Sequence, residues 1–236
     1  MKKLLLLLTL MIFTACGGQK KIVVDSLTYE KNGDNYFYKI EIPQIKGIRN
    51  KEIEELNVEL SELADSTIES MVNGLEGSPA EYIESYQTFE NDFGITSILL
   101  ETYSIGENDA NGIQASESIN IKNSDGSFVT FDSFFKEGAK EYIVDQIKNI
   151  INKSSGKIIL NSNGKEVAFF EDVEVDLNNS AMYFEGNDIC FKFDMYELAP
   201  HSEGQPIIRF PKEELKEFIK WLKKHDILSC FFNWIF

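Results

Sequence analysis

Few residues in this 236-residue chain are of a type that does chemistry at neutral pH. There are two histidines, His201 and His225, and three cysteines, Cys16, Cys190 and Cys230. A catalytic zinc site needs three converging protein ligands, which two histidines far apart in the chain do not supply, and carboxylates alone serve it poorly. No HExxH, GxSxG or CxxC spacing occurs, and no glycine-rich phosphate loop follows a strand. Two carboxylates can act as acid and base on a glycan. With 39 acidic residues, however, no spacing singles out one pair. The stretch ENDANGIQASE (107–117) offers Glu107, Asp109 and Asn111 at alternate positions and then Gly112, much as a calcium loop does. That loop begins with Asp, carries an apolar residue two after the glycine and ends on Glu in twelfth place. Here those positions hold Glu107, Gln114 and Ser118, so the stretch reads as a polar loop between strands. No catalytic residue, metal or cofactor is assigned.

His201 stands in FKFDMYELAPHSEGQPIIRFPKEEL (191–215), within a Pro/Ser/Glu/Gly loop between two apolar runs. Lacking any partner signal, it reads as a surface or contact residue rather than a general base. The flanking elements alternate helix and strand signals. KIVVDSLTYE and YFYKIEIPQI are strand-like and joined by the turn residues EKNGDN, which predicts a hairpin that Pro43 ends or places at an edge. Asn50 is an N-cap signal ahead of Glu52, Glu54 and Glu55. Ile53, Leu56, Leu60, Leu63, Ile68 and Met71 then recur at helical spacing, up to a stop at Asn73-Gly74. A second helix is marked by Ala139, Tyr142, Ile143, Ile147, Ile150 and Ile151, and a third begins at Pro211. Strand signals fill the rest: ITSILLETYSI, ESINI, SFVTF, and the hairpin AMYFEGNDICFKF turning at Gly186-Asn187. Runs of strands broken by single helices predict an α+β fold: antiparallel sheets with three main helices, in two small intertwined domains.

The ends of the chain are distinctive. MKKLLLLLTLMIFTACGG has a basic n-region, an apolar run too short to span a bilayer, and small residues before Cys16. The placement of Cys16 resembles the lipobox of bacterial lipoproteins, which implies cleavage after residue 15 and lipidation of Cys16. Two or more acyl chains anchor stably where one does so only marginally. An ordinary cleaved signal with a stray cysteine is the plainer alternative. Losing Lys2 and Lys3 takes the formal charge from −16 to −18. So acidic a chain is a poor match for nucleic acid, whose affinity comes from cations on the protein, and suits a cationic partner or simply solubility. The apolar tail ILSCFFNWIF is half the length of a membrane span. It is expected to pack back on the core, with membrane-surface contact as the sharper alternative. Cys190 alternates with Lys192 and Asp194 opposite Ile189, Phe191, Phe193 and Met195, predicting a partly exposed thiol and no disulfide to Cys230.

KIEIPQIKG followed by NKEIEELN, then SINIKNSDGSFVTFDSFFKEG and the 191–215 stretch, together resemble the paired extracytoplasmic domains of RsiV-type anti-sigma factors. The same pair precedes some peptidoglycan deacetylases. The resemblance covers roughly Tyr36 to Ile219. In the anti-sigma members this pair binds lysozyme, which exposes the protein to proteolysis and frees a sigma factor. It implies an α+β fold, with a signal at 1–15, an anchor and tether at 16–24, domains at 25–115 and 116–223, and the tail at 224–236. This chain reads as the sensor without a sigma-binding segment or deacetylase domain. It has NDANGIQAS where many relatives carry a Gly-Gly-Ala-His-like loop. Tyr196, Glu197, Pro200 and Gly204 match the family's strand-end and loop pattern, and His201 stands where relatives often have an aromatic. Implied contact residues are Tyr196, Glu197, Pro200, His201 and Glu203, with Asp109 and Asn111 in a second loop. The expected function is that of a non-catalytic, lipid-anchored envelope protein binding a lysozyme-like muramidase. Binding of peptidoglycan glycan strands is the first alternative, and a carboxylate-based glycan enzyme or a purely structural envelope lipoprotein comes behind it.

Overall fold

The computed structural model describes residues 22–153, 156–161 and 164–220. The expected signal at 1–15, Cys16, Cys230 and the apolar tail lie outside the described residues. The EKNGDN turn closes a hairpin: β1 (Val23–Asn32) pairs antiparallel with β2 (Phe37–Lys46), with Asn32 opposite Phe37. Pro43 does not end the ladder but pairs with Ser26. There β2 has β1 on one side and has already parted from its other neighbour, so the missing N–H costs no ladder bond.

Helix α1 (Lys51–Val72) starts at the expected cap, where Asn50 Oδ1 accepts from the Glu52 amide at 2.8 Å, and it stops at Asn73. Ile53, Leu60, Ala64 and Met71 form its buried face, while Leu63, expected among them, is 59% exposed. The helix is a crossover. It returns the chain to β3 (Glu81–Phe89), which runs parallel to β2 and was not apparent in the sequence. β4 (Ile95–Ile105) and β5 (Ile113–Lys122) complete a sheet of order β1-β2-β3-β4-β5. Residue 116, where the second domain is expected to start, lies inside β5.

SFVTF is not a strand. It makes the single bridge Ile121–Phe128, after which Thr130 and Ser133 cap each other reciprocally and start α2 (Phe131–Phe134). The expected α3 (Ala139–Ile151) follows. A second sheet comprises β6 (Ser180–Glu185), β7 (Asp188–Phe193) and β8 (Ile207–Pro211) in that order. Its first hairpin turns at Gly186, whose φ of 55° favours glycine. The helix expected from Pro211 is one α turn, α4 (Lys212–Leu215), and a 3-10 turn at Lys216–Phe218. The fold is α+β, with antiparallel sheets apart from the β2–β3 pair.

The two sheets lie face to face between the long helices. Ile40, Ile42, Ile98, Leu100 and Ile121 of the first sheet pack with α1. Its other face supplies Leu99 to Ala181, Tyr183 and Cys190 of the second sheet. The far face of the second sheet, with Phe184, Ile189, Phe191 and Phe210, packs on Ile143, Ile147 and Ile150 of α3. As the central strand, β7 is covered on both faces, which corrects the expected exposure of Cys190. Cys190 and Lys192 are 0% and 6% exposed. Burial pushes the Cys190 thiol up to about 12. Lys192 pairs with Glu101 of β4 across the interface.

β6 lies against β4 and β5 without a shared backbone ladder; side chains pin it instead. Asn120 donates to the Met182 carbonyl at 2.7 Å, and the Phe184 amide donates to Ser97 Oγ at 2.9 Å. Ser97 and Asn120 also bond each other.

One buried acid opposes the fold. Glu84 of β3 is 5% exposed and accepts from the Tyr82 hydroxyl at 3.2 Å. Burial holds its carboxyl above the usual range, the Tyr82 bond partly opposes this, and the charge of Glu117 adds to it. A carboxyl raised in the folded state destabilises once it ionises, so the penalty is full above the folded value and vanishes as pH falls below the unfolded one. Glu84→Gln keeps a hydrogen-bond acceptor and removes the charge. Thermal melts at neutral pH should rise by about 2–4 °C, the response of a chain this size to ~1 kcal/mol, and the gain should fade toward pH 4. An unchanged neutral-pH melt would show that Glu84 carries no penalty.

Candidate functional site

Strand register gathers four connections at one end of the molecule. The β1–β2 turn lies beside residues 73–80, because Phe37 pairs with both Asn32 and Glu81. Glu81 pairs with Ile105 and Ser104 with Ile113, which brings the 106–112 loop alongside. The fourth connection, 194–205 between β7 and β8, reaches the same end through contacts with that loop and with β5. Ile22, the first described residue, lies at the opposite end, near Asn91, Asn123 and Gly186.

The 194–205 segment is held from below. Leu198 and Ala199 are 1% and 0% exposed, and the Leu198 carbonyl accepts from the Phe170 amide at 2.9 Å. Asp194 Oδ1 accepts from the Ser116 amide at 2.8 Å and from Gln205 Nε2 at 3.0 Å, clasping the edge of β5. Burial raises the Asp194 carboxyl, against the opposing pull of those two bonds. Between these fixed points His201, Ser202 and Glu203 form one 3-10 turn after Pro200, closed by Gly204 at φ 71°.

His201 Nε2 lies 3.1 Å from the carbonyl of Gly112 and so carries the proton it donates there. This bond joins the two candidate loops. A Cβ at Gly112 would stand 2.2 Å from the Tyr103 ring, which would have to swing aside to admit it. On the solvent side of His201 the Tyr196 ring lies 5.8 Å away, 55% exposed. Its backbone has φ 68°, left-handed and strained for a tyrosine.

The remaining candidates diverge. Glu197 accepts from Asn179 Nδ2 at 2.9 Å and borders a polar cleft of about 440 Å³ with Glu117 and Asp194. Glu203 accepts from Asn161 Nδ2 at 3.0 Å. Asp109 accepts from the Gly106 amide at 2.8 Å and borders an open cleft of about 1020 Å³ with Asp34 and Glu76. Asn111 is exposed beside Gly112. Asp194 and Gln205, which hold the site together, carried no sequence signal because their partner Ser116 belongs to the other sheet. Among the described residues no three His, Cys, Asp or Glu side chains converge as a metal site would require.

Residues 132–213, from α2 to α4, match a family model described as a protein of unknown function, DUF3298. The matched segment contains the whole of the Tyr196–His201 loop and the second sheet. A crystal structure of a DUF3298 family protein from Pseudomonas aeruginosa PAO1 shares the fold, with a TM-score of 0.57 at 14% identity over 86% of this chain and 96% of that one. A DUF3298 family member from Bacteroides fragilis NCTC 9343 aligns with a TM-score of 0.47 at 12% identity, over 85% of this chain and 94% of that one. No curated protein matches.

Proposed function

We propose that this chain is a non-catalytic, lipid-anchored envelope protein that binds a cationic extracytoplasmic protein, a lysozyme-like muramidase, at its loop end. The observation that carries this is the joining of the Tyr196–His201 and 106–112 loops at the end opposite Ile22. A chain tethered through Cys16, a few residues before Ile22, would hold that surface away from the membrane. The resemblance to the anti-sigma sensor domains supplies the ligand class. The net charge of −16 agrees with a basic partner. His201 spends its Nε2 proton on a backbone carbonyl, and an exposed tyrosine beside it suits contact better than proton transfer.

The test is a titration of the chain from Gly17 onward with a basic lysozyme at low and physiological salt, with lysis followed in parallel. Saturable binding with loss of lysis is expected. Glu197→Lys with Glu203→Lys should slow association about tenfold at low salt and flatten its salt dependence, as reversed rim charges do. Equal rates for the double variant and the parent would move the contact face elsewhere.

A second function is favoured by one observation. Ser66, Thr67, Ser70, Ser78, Tyr82 and Ser104 bring hydroxyls to a cleft of about 440 Å³ at the same end. Such a lining suits a glycan strand of peptidoglycan. Binding to purified wall that ignores salt, with none to lysozyme, would select it.

A further inference from the structure

Among the described strands β5 pairs only with β4, and its outer edge is covered at both ends but open between them. At the loop end the Gln114 amide donates to Met195 Sδ and the Ser116 amide to Asp194 Oδ1. At the far end the Asn120 carbonyl accepts from the Val129 amide at 2.7 Å, and the Lys122 amide donates to the Ser127 carbonyl at 2.9 Å. These residues are all even-numbered, and successive residues of a strand turn their backbone groups to opposite edges. Ser118 therefore turns its amide and carbonyl away from its β4 neighbour Leu99. Neither group has a partner among the described residues, and the Ser116 carbonyl is open in the same way. A strand edge left unpaired is a template for another strand.

A groove follows this opening. Two clefts, of about 440 and 410 Å³, share Ser118, Asn178 and Ser180 in their linings. Together they extend along β5 from Ser116 to Asn120, about 14 Å of strand. Their chemistry differs. Glu117, Asp194 and Glu197 line the first cleft, and no described lysine or arginine does. The second is walled by Val129, Phe131, Leu177, Met182 and Phe191, and its two charges, Asp132 and Lys140, are of opposite sign. An occupant that fits has peptide groups for Ser116 and Ser118, a cation for one end and an apolar side chain for the other. An extended basic peptide has all three, and strand addition at a sheet edge is an established mode of peptide recognition. A glycan strand lacks the run of alternating amides and carbonyls.

We infer that the outer edge of β5 receives an extended segment of a partner protein as an added strand. Its main chain bonds Ser116 and Ser118, a lysine or arginine faces Glu117, Asp194 and Glu197, and an apolar side chain enters the cleft of Phe131 and Phe191. Glu197 belongs also to the loop surface proposed for a muramidase, so the test leaves it unchanged and contains no lysozyme. The chain from residue 16 with Cys16→Ser, which keeps it free of lipid, is titrated against fluorescein-labelled octapeptides of Ser and Thr. Each peptide carries one Phe and one Lys, at varied spacing and in both orders. Saturable binding below about 100 μM by peptides of one order is expected. Methylating the backbone nitrogens of the best peptide one at a time should cost about tenfold at every second residue and little between them, as bonding along one edge requires. Ser118→Pro should abolish binding. That amide bonds nothing in β4, so the edge tolerates proline and far-ultraviolet circular dichroism should be unchanged. Glu117→Lys, at an exposed position, should weaken binding about tenfold and does not depend on the proline variant.

No binding by any peptide of either order up to about 1 mM overturns the inference. Methylation losses that do not alternate overturn it as well, as does binding indifferent to both variants in folded chains. Peptidoglycan glycan fragments that bind the parent and not Ser118→Pro, with no peptide binding, overturn it in favour of a glycan groove.

Discussion

Replacing Glu101 with alanine should lower the free energy of unfolding by about 3 kcal/mol, measured by urea titration, and the melting temperature by about 6–12 °C. Glu101 is the partner of Lys192, whose side chain is 8% exposed between the sheets, against 29% for Glu101. Removing the carboxylate leaves an ammonium in a place with little access to water, and that unpaired charge dominates the cost. The pair itself is worth much less. Changing both members, Lys192→Met with Glu101→Leu, should return the stability to within about 1 kcal/mol of the parent, because a buried ion pair roughly breaks even against apolar side chains of similar size. A Glu101→Ala loss below ~0.5 kcal/mol would mean that Lys192 finds water on the β4 side.

Tyr196→Gly should separate binding from stability. If the loop end is the contact surface proposed above, removing an exposed aromatic from its centre should weaken the lysozyme complex about 30-fold, a loss near 2 kcal/mol typical of an aromatic hot spot. Stability should move the other way. Tyr196 has φ 68°, and glycine adopts that backbone without strain, so the melt should hold or rise by a few degrees. A tyrosine whose role were structural would show the opposite sign, a lower melt. Binding unchanged in Tyr196→Gly would remove this ring from the interface.

Local signals survived the passage from sequence to structure and long-range ones did not. Asn50, the acidic first turn and Asn73 bounded α1 because capping is decided within a few residues. The hairpins at EKNGDN and Gly186 were legible for the same reason. The parallel pairing of β2 with β3 was not, since it depends on where α1 delivers the chain. SFVTF has strand composition, yet the reciprocal cap of Thr130 and Ser133 takes it into a helical turn. The alternation of β7 suggested one wet face; burial of Lys192 and Cys190 followed from a second sheet that periodicity within one strand cannot reveal. At the loop end the candidate residues were identifiable one loop at a time. The bond from His201 to Gly112 spans 89 residues, and nothing in either loop announces the other.

The side-chain pins that β4 and β5 make to β6 bear on how the halves find each other during folding. A backbone ladder can slip by two residues and regain nearly every bond, since each amide is like the next. Asn120 and Ser97 are unique points. Displaced along the seam, the Asn120 amide would lose the Met182 carbonyl and the Ser97 hydroxyl would lose the Phe184 amide, both in buried surroundings. Each buried polar group stranded in this way costs about 1–3 kcal/mol, so a misdocked arrangement is several kcal/mol worse even with its apolar area intact. The two half-molecules thus recognise one docking position, and a kinetic trap formed by sliding one sheet along the other is shallow.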